Sequence, residues 1–197
     1  MNSKRNLIGL LGATALSSVF AASESARRPA PAGTRAAYFP NSIVHTHDGR
    51  KLRFYDEAVK GKIVVINMMY TACTGICPGN TANLLRVQEA LSDQLGKDVF
   101  MYSLTLRPEM DGPTALRNYV EHYGIAKGWT FLTGRPTEMD LIRRKLGFYN
   151  SDPVLDADIN RHTGMVRIGN EALDRWAMCP ALGSAKQIAR AVLHLRA

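Results

Sequence analysis

Residues 62–80 read KIVVINMMYTACTGICPGN. The first nine, Lys62 to Tyr70, are β-branched and almost wholly apolar and follow Gly61. A run without polar alternation suits a strand buried on both faces, the kind found where helices cover both sides of a sheet. A helix is expected next, because Leu84, Val87, Leu91 and Leu95 recur at helical spacing and Gly96 stands where a C-terminal cap belongs. Between the strand and the helix lie Cys73 and Cys77, two of the three cysteines in the chain.

Working outward, the same alternation repeats. Upstream, SIVHTH and KLRFY flank Asp48-Gly49, a dipeptide that supplies positive φ in a tight turn, and so read as a β-hairpin. Downstream, VFMYSL (99–104) reads as a second buried strand. Pro113 then opens a helix with Leu116, Tyr119, Val120 and Tyr123 on one face, ending at Gly124. WTFL (129–132) and a helix from Thr137 carrying Met139, Ile142 and Leu146, stopped by Gly147, follow. GMVRIG and LDRWAMC are strands joined by a turn near Asn170, and Ser184 stands where it can cap a closing helix with Ile188, Ala191, Val192 and Leu195 inside. Parallel βαβ units need crossover helices on the sheet faces, so the order hairpin, βαβαβα, ββα predicts an α/β sandwich with a mixed sheet. At 197 residues one domain is expected, over residues 39–197.

The N-terminus differs in character. Lys4 and Arg5 precede LIGLLGATALSSVFA (7–21), and no acidic residue appears before Glu24. That is the layout of a secretory signal peptide over residues 1–21 with cleavage after Ala21; an uncleaved anchor is the alternative. With no cysteine in this segment, lipid acylation there is excluded. Residues 22–38, rich in Ala, Pro, Gly and Arg, read as an exposed leader. The expected location is therefore exported and periplasmic, free or membrane-anchored. The composition, 46% hydrophobic and 21% charged, is that of an ordinary globular protein. The formal charge of +8 favours a membrane surface or an acidic partner face. Nucleic acid is not expected as a partner, because the basic residues are dispersed and form no aromatic-laced patch.

Cys73 and Cys77 fall at the carboxyl end of a buried strand and the start of a helix, where α/β sheets place their ligand sites. A spacing of four is expected to set both sulfurs on one side of a helical turn, where the positive helix end lowers thiol pKa values. Pro78 fits the first turn, where a missing N–H does no harm. Two such thiols permit either a reversible disulfide or a soft metal site. The candidate third ligand is His162, in DINRHTGMVRI just before a strand. Two thiolates and an imidazole suit Cu(I), and with an added oxygen ligand Cu(II).

The ordered set C-x-x-x-C-P after an apolar strand, R-P-E-M-D-G-P after the next, T-G-x-P-x-E beyond it and D-x-x-x-x-H-T before a later strand resembles the Sco/SenC family over roughly residues 39–195. The resemblance implies a thioredoxin-like fold. It also implies copper bound by Cys73, Cys77 and His162, and assistance in assembling the copper centre of an exported cytochrome c oxidase subunit. The partner would be that oxidase subunit or another copper chaperone. The chain departs from the usual family pattern at Thr74-Gly75-Ile76, with no acidic residue between the cysteines, and at Arg107 in place of an aspartate before the P-E segment. If Arg107 faces the site it would stabilise anionic thiolates. The alternative from another class is a thiol:disulfide oxidoreductase with Cys73 and Cys77 as the exchanging, catalytic pair. A peroxidase using a cysteine beside Thr71 or Thr74 fits less well. His45 and His47 are expected to share an exposed strand face, Met68 and Met69 to pack in the core, and Cys179 to be a buried small hydrophobe.

Overall fold

The computed structural model describes residues 35–159 and 163–196. The signal-peptide reading of residues 1–21 and most of the leader fall outside them. Among the described residues no helix is long and apolar enough to cross a membrane.

β3 (Ile63–Met69) is buried at every position. It pairs in parallel with β4 (Val99–Thr105), which pairs in parallel with β5 (Trp129–Gly134). β6 (Met165–Asn170) runs antiparallel on the other side of β3, and β7 (Arg175–Pro180) antiparallel to β6. The hairpin of β1 (Ile43–Thr46) and β2 (Lys51–Arg53) joins through β1, antiparallel to β5. The result is a seven-stranded mixed sheet in the order β2-β1-β5-β4-β3-β6-β7.

Alternation along β3 sends Val65 and Met69 to one face and Val64, Ile66 and Met68 to the other, and each face has its own core. The first is closed by α1 (Ile76–Ala90), α2 (Pro113–His122) and α5 (Ala185–His194), through Leu84, Val87, Leu116, Ile188 and Val192. The second is closed by α3 (Pro136–Lys145), through Met139 and Ile142, and by Phe54–Val59. One polar residue interrupts β3. Asn67 is satisfied within the sheet, its Oδ1 accepting from Ser103 Oγ at 2.6 Å while Ser103 accepts from Trp129 Nε1 at 2.8 Å. The expected hairpin, strands and helices are all present.

Four details differ from the reading of the sequence. KLRFY leaves the sheet after Arg53, and Phe54–Val59 forms one wide helical turn closed by Lys60 N–H donating to Tyr55 C=O at 2.8 Å. Phe54 and Tyr55 are both buried, so this turn tucks an adjacent aromatic pair into the core, where alternation in a strand would expose one of them. α1 stops at Ala90, before Gly96, whose positive φ serves the turn into β4. Ser184 holds the N-cap position of α5 without a side-chain capping bond. A short α4 (Pro153–Ala157) also forms, capped by Asp152, whose carboxylate accepts from Val154 and Leu155 N–H.

Candidate metal and thiol site

The carboxyl ends of β3 and β4 carry the two loops that build the site. The β3–α1 loop, residues 70–75, holds Cys73; α1 holds Cys77 in its first turn. The spacing of four therefore does not place both cysteines on one helix, because Gly75 is the N-cap and Cys73 precedes it. Gly75 has no side chain to cap the free N–H groups of the first turn, and the Cys73 sulfur takes that role. It accepts from the backbone N–H groups of Gly75 and Cys77, the Cys77 thiol and the Tyr70 hydroxyl.

The two thiols are consequently unlike. Burial alone would raise Cys73, but those donors outweigh it and pull the thiol below its ordinary value. Cys77 is pushed up to about 12 by burial, by donating to Cys73 and by the negative charge of Cys73 and Asp111. The helix end lowers only one of the pair. Neither cysteine forms a disulfide among the described residues, and both are buried, Cys77 at 1% exposure and Cys73 at 8%.

A buried carboxylate fixes the loop. Asp111, 2% exposed, accepts from Thr71 N–H at 3.0 Å, from Thr71 Oγ1 and from Thr105 Oγ1. It thus ties the β3–α1 loop to the end of β4 and to the loop before α2. With no cation within ion-pair distance among the described residues, this carboxylate depends on those charge-assisted bonds. Arg107 stands over the Tyr70 ring at 5.8 Å and lies 3.8 Å from Glu109, so it reaches the rim through Tyr70. Thr71 is committed to Asp111, which leaves the peroxidase reading without its free threonine there.

His162 lies outside the described residues, and among those described no group of three His, Cys, Asp or Glu could hold a metal. Its neighbours in sequence are described on both sides. Ile159 packs against the core cluster that contains Cys73 and Cys77. Gly164 faces the first turn of α1, where a Cβ would meet Ile76 Cδ1 at 3.2 Å and Asn80 Nδ2 at 3.6 Å. The buried Asn80 Oδ1 has no hydrogen-bond partner among the described residues.

The remaining candidates separate. Met68 and Met69 are core residues, as expected. His47 sits past the end of β1, and its Nδ1 accepts from Phe131 N–H at 3.1 Å, so His45 and His47 do not share an open strand face. Cys179 is half-buried in β7 against the same cluster as Cys73 and Cys77, its thiol raised by burial. Sequence reasoning assigned no role to Tyr70, Asp111 or Asn80. Asp111 was visible within R-P-E-M-D-G-P, but its partners Thr71 and Thr105 belong to other segments.

A family model described as SCO1/SenC matches residues 43–196. The SCO1 protein homolog of Bacillus subtilis (strain 168) is 32% identical over 88 residues, 44% of this chain and 44% of that protein. The match thus spans less than half of that relative's length. The structure of Bradyrhizobium japonicum ScoI with copper bound superposes with a TM-score of 0.62 at 20% identity, over 78% of this chain and 96% of the other. BsSco, a member of the Sco family of cytochrome c oxidase assembly proteins in which a disulfide switch has been identified, gives 0.63 at 21% identity over 80% and 93%. These likenesses give the fold as thioredoxin-like. With the family model running from β1 to the last residues after α5, the chain belongs to the SCO1/SenC family.

Proposed function

We propose that the protein carries copper, binding it through Cys73, Cys77 and His162, and assists assembly of the copper centre of an exported cytochrome c oxidase subunit. The observation that carries this reading is the buried, reduced Cys73–Cys77 pair, hydrogen-bonded to each other at the carboxyl edge of the parallel strands. Copper is cargo here. Two adjacent sulfurs in a dry site suit a soft, low-coordinate cation, and the thiol protons leave as it binds. An acceptor ligand displaces the sulfurs one at a time, so the ion is never free. Membership of the family and the copper-bound state of the Bradyrhizobium relative support the reading. The basic, apolar start of the chain supports export.

The unlike thiols favour a second use of the same pair. Cys73, the more readily ionised and the less buried, would attack an acceptor disulfide and form a mixed disulfide, releasing one acceptor thiolate. Cys77 would then lose its proton and attack the Cys73 sulfur, closing the Cys73–Cys77 disulfide and releasing the second acceptor thiol. Anaerobic Cu(I) titration of the reduced chain tests the first reading. One equivalent is expected to bind, Cys73→Ser and Cys77→Ser to abolish binding, and His162→Ala to weaken it about tenfold or more. Failure of the reduced parent to bind copper would overturn it.

A further inference from the structure

A pocket lies on the side of the sheet packed by α3, away from the cysteines. It encloses about 390 Å³ and is lined by Tyr38, Arg144, Lys145, Gly147, Tyr149 and Arg167. Its charges do not cancel. Arg143 and Arg144 pair with Asp140 and Asp156 at 2.6–2.9 Å, a neutral quartet, and Arg35 pairs with Asp174. Lys145 and Arg167 meet no carboxylate among the described residues. Lys145 Nζ stands 4.9 Å from the Tyr38 ring centre and the Arg167 guanidinium 5.6 Å from that of Trp176.

Arg167 is the anomaly. Lys145 and Arg144 sit in the last turn of α3, where the negative helix end accounts for cations. Arg167 is on β6, half-buried, with its Nε fully enclosed and without a hydrogen-bond partner among the described residues. Burial holds this guanidinium below its ordinary value. A half-desolvated guanidinium with no carboxylate beside it is costly unless an anion meets its outer, Nη edge. Gly147, whose φ of +84° closes α3, lines the pocket beside this guanidinium, 3.8 Å separating Arg167 Nη1 from where a Cβ would stand.

We propose that this pocket binds a phosphate group, with Arg167 as the forked donor, Lys145 as the second charge, and the Tyr38 and Tyr149 hydroxyls at the rim. Two cations without a carboxylate partner among the described residues match a phosphate carrying one to two negative charges, and the planar guanidinium suits paired bonds to its oxygens. Free phosphate and a phospholipid headgroup share this chemistry, and the test separates them. In one arm the intact chain is titrated with inorganic phosphate against chloride at equal ionic strength, reading the Trp176 indole N–H signal by NMR. In the other it is sedimented with phosphatidylglycerol–phosphatidylcholine vesicles, with pure phosphatidylcholine as control. Saturable movement of the Trp176 signal, with that of buried Trp129 unmoved, assigns the site to free phosphate. Sedimentation with phosphatidylglycerol alone assigns it to a headgroup. In either case Arg167→Gln and Lys145→Gln should each weaken binding about tenfold. The lysine variant keeps the test decisive if the arginine variant fails to fold. No response in either arm, or responses unchanged in both variants, would overturn the proposal.

Discussion

At the residue scale, the site rests on an asymmetry between two chemically identical side chains. Cys73 collects donors because it stands in front of a helix whose N-cap is a glycine; Cys77, one turn inside, spends its proton on Cys73. The consequence is readable as a rate. Thiolate alkylation should mark Cys73 well before Cys77, and the Cys73 rate should level off at a lower pH than that of Cys179, whose thiol burial raises. Timed iodoacetamide labelling followed by peptide mass spectrometry measures this. Equal rates at Cys73 and Cys77 would show the pair to be symmetric.

At the scale of elements, α3, α4 and the segment between them are clamped by charge as well as by apolar packing. Asp156 accepts from Arg143 at 2.7 and 2.8 Å and from Asn150 N–H at 2.8 Å, with Arg144 at 2.8 Å. The Arg143 hydrogen bonds hold its carboxyl far below the usual carboxylate range. A depressed folded value means stability fully present above the unfolded carboxylate pKa of about 4 and lost as pH falls through the folded one. Asp156→Asn should therefore cost about 2 kcal/mol at neutral pH, since the side chain is 5% exposed yet Arg143 keeps Asp140 as partner. The variant should also lose less stability than the parent on acidification. Urea unfolding from neutral pH downward checks both, and parallel curves would remove the role given to the pair. This clamp was not legible in the sequence. Its residues span 140–156, and although Asp152-Pro153 has the form of a helix start, the five residues of α4 carry no apolar period to follow it. β3 by contrast was legible because every one of its side chains is buried, α2 because Pro113 opens it and Gly124 closes it, and α3 because its apolar face recurs at helical spacing up to the positive-φ Gly147.

At the scale of the molecule, the sheet separates two chemistries. The carboxyl ends of β3 and β4 hold the thiols and the Asp111 tie, while the α3 side carries the unneutralised cations over β6. The cysteines and the strand–helix context were readable in one short stretch. The tie was not, because Thr71, Thr105 and Asp111 come together only when β3 and β4 pair in parallel. The described residues on either side of His162 in sequence include Ile159, packed on the cysteine cluster, and Gly164, packed on the first turn of α1. The most direct measurement of the whole scheme is X-ray absorption at the copper edge of the anaerobically loaded, reduced chain. Two sulfur neighbours and one imidazole nitrogen are expected, with His162→Ala losing the nitrogen and keeping both sulfurs. A spectrum without sulfur neighbours, or one that His162→Ala leaves unchanged, would contradict it.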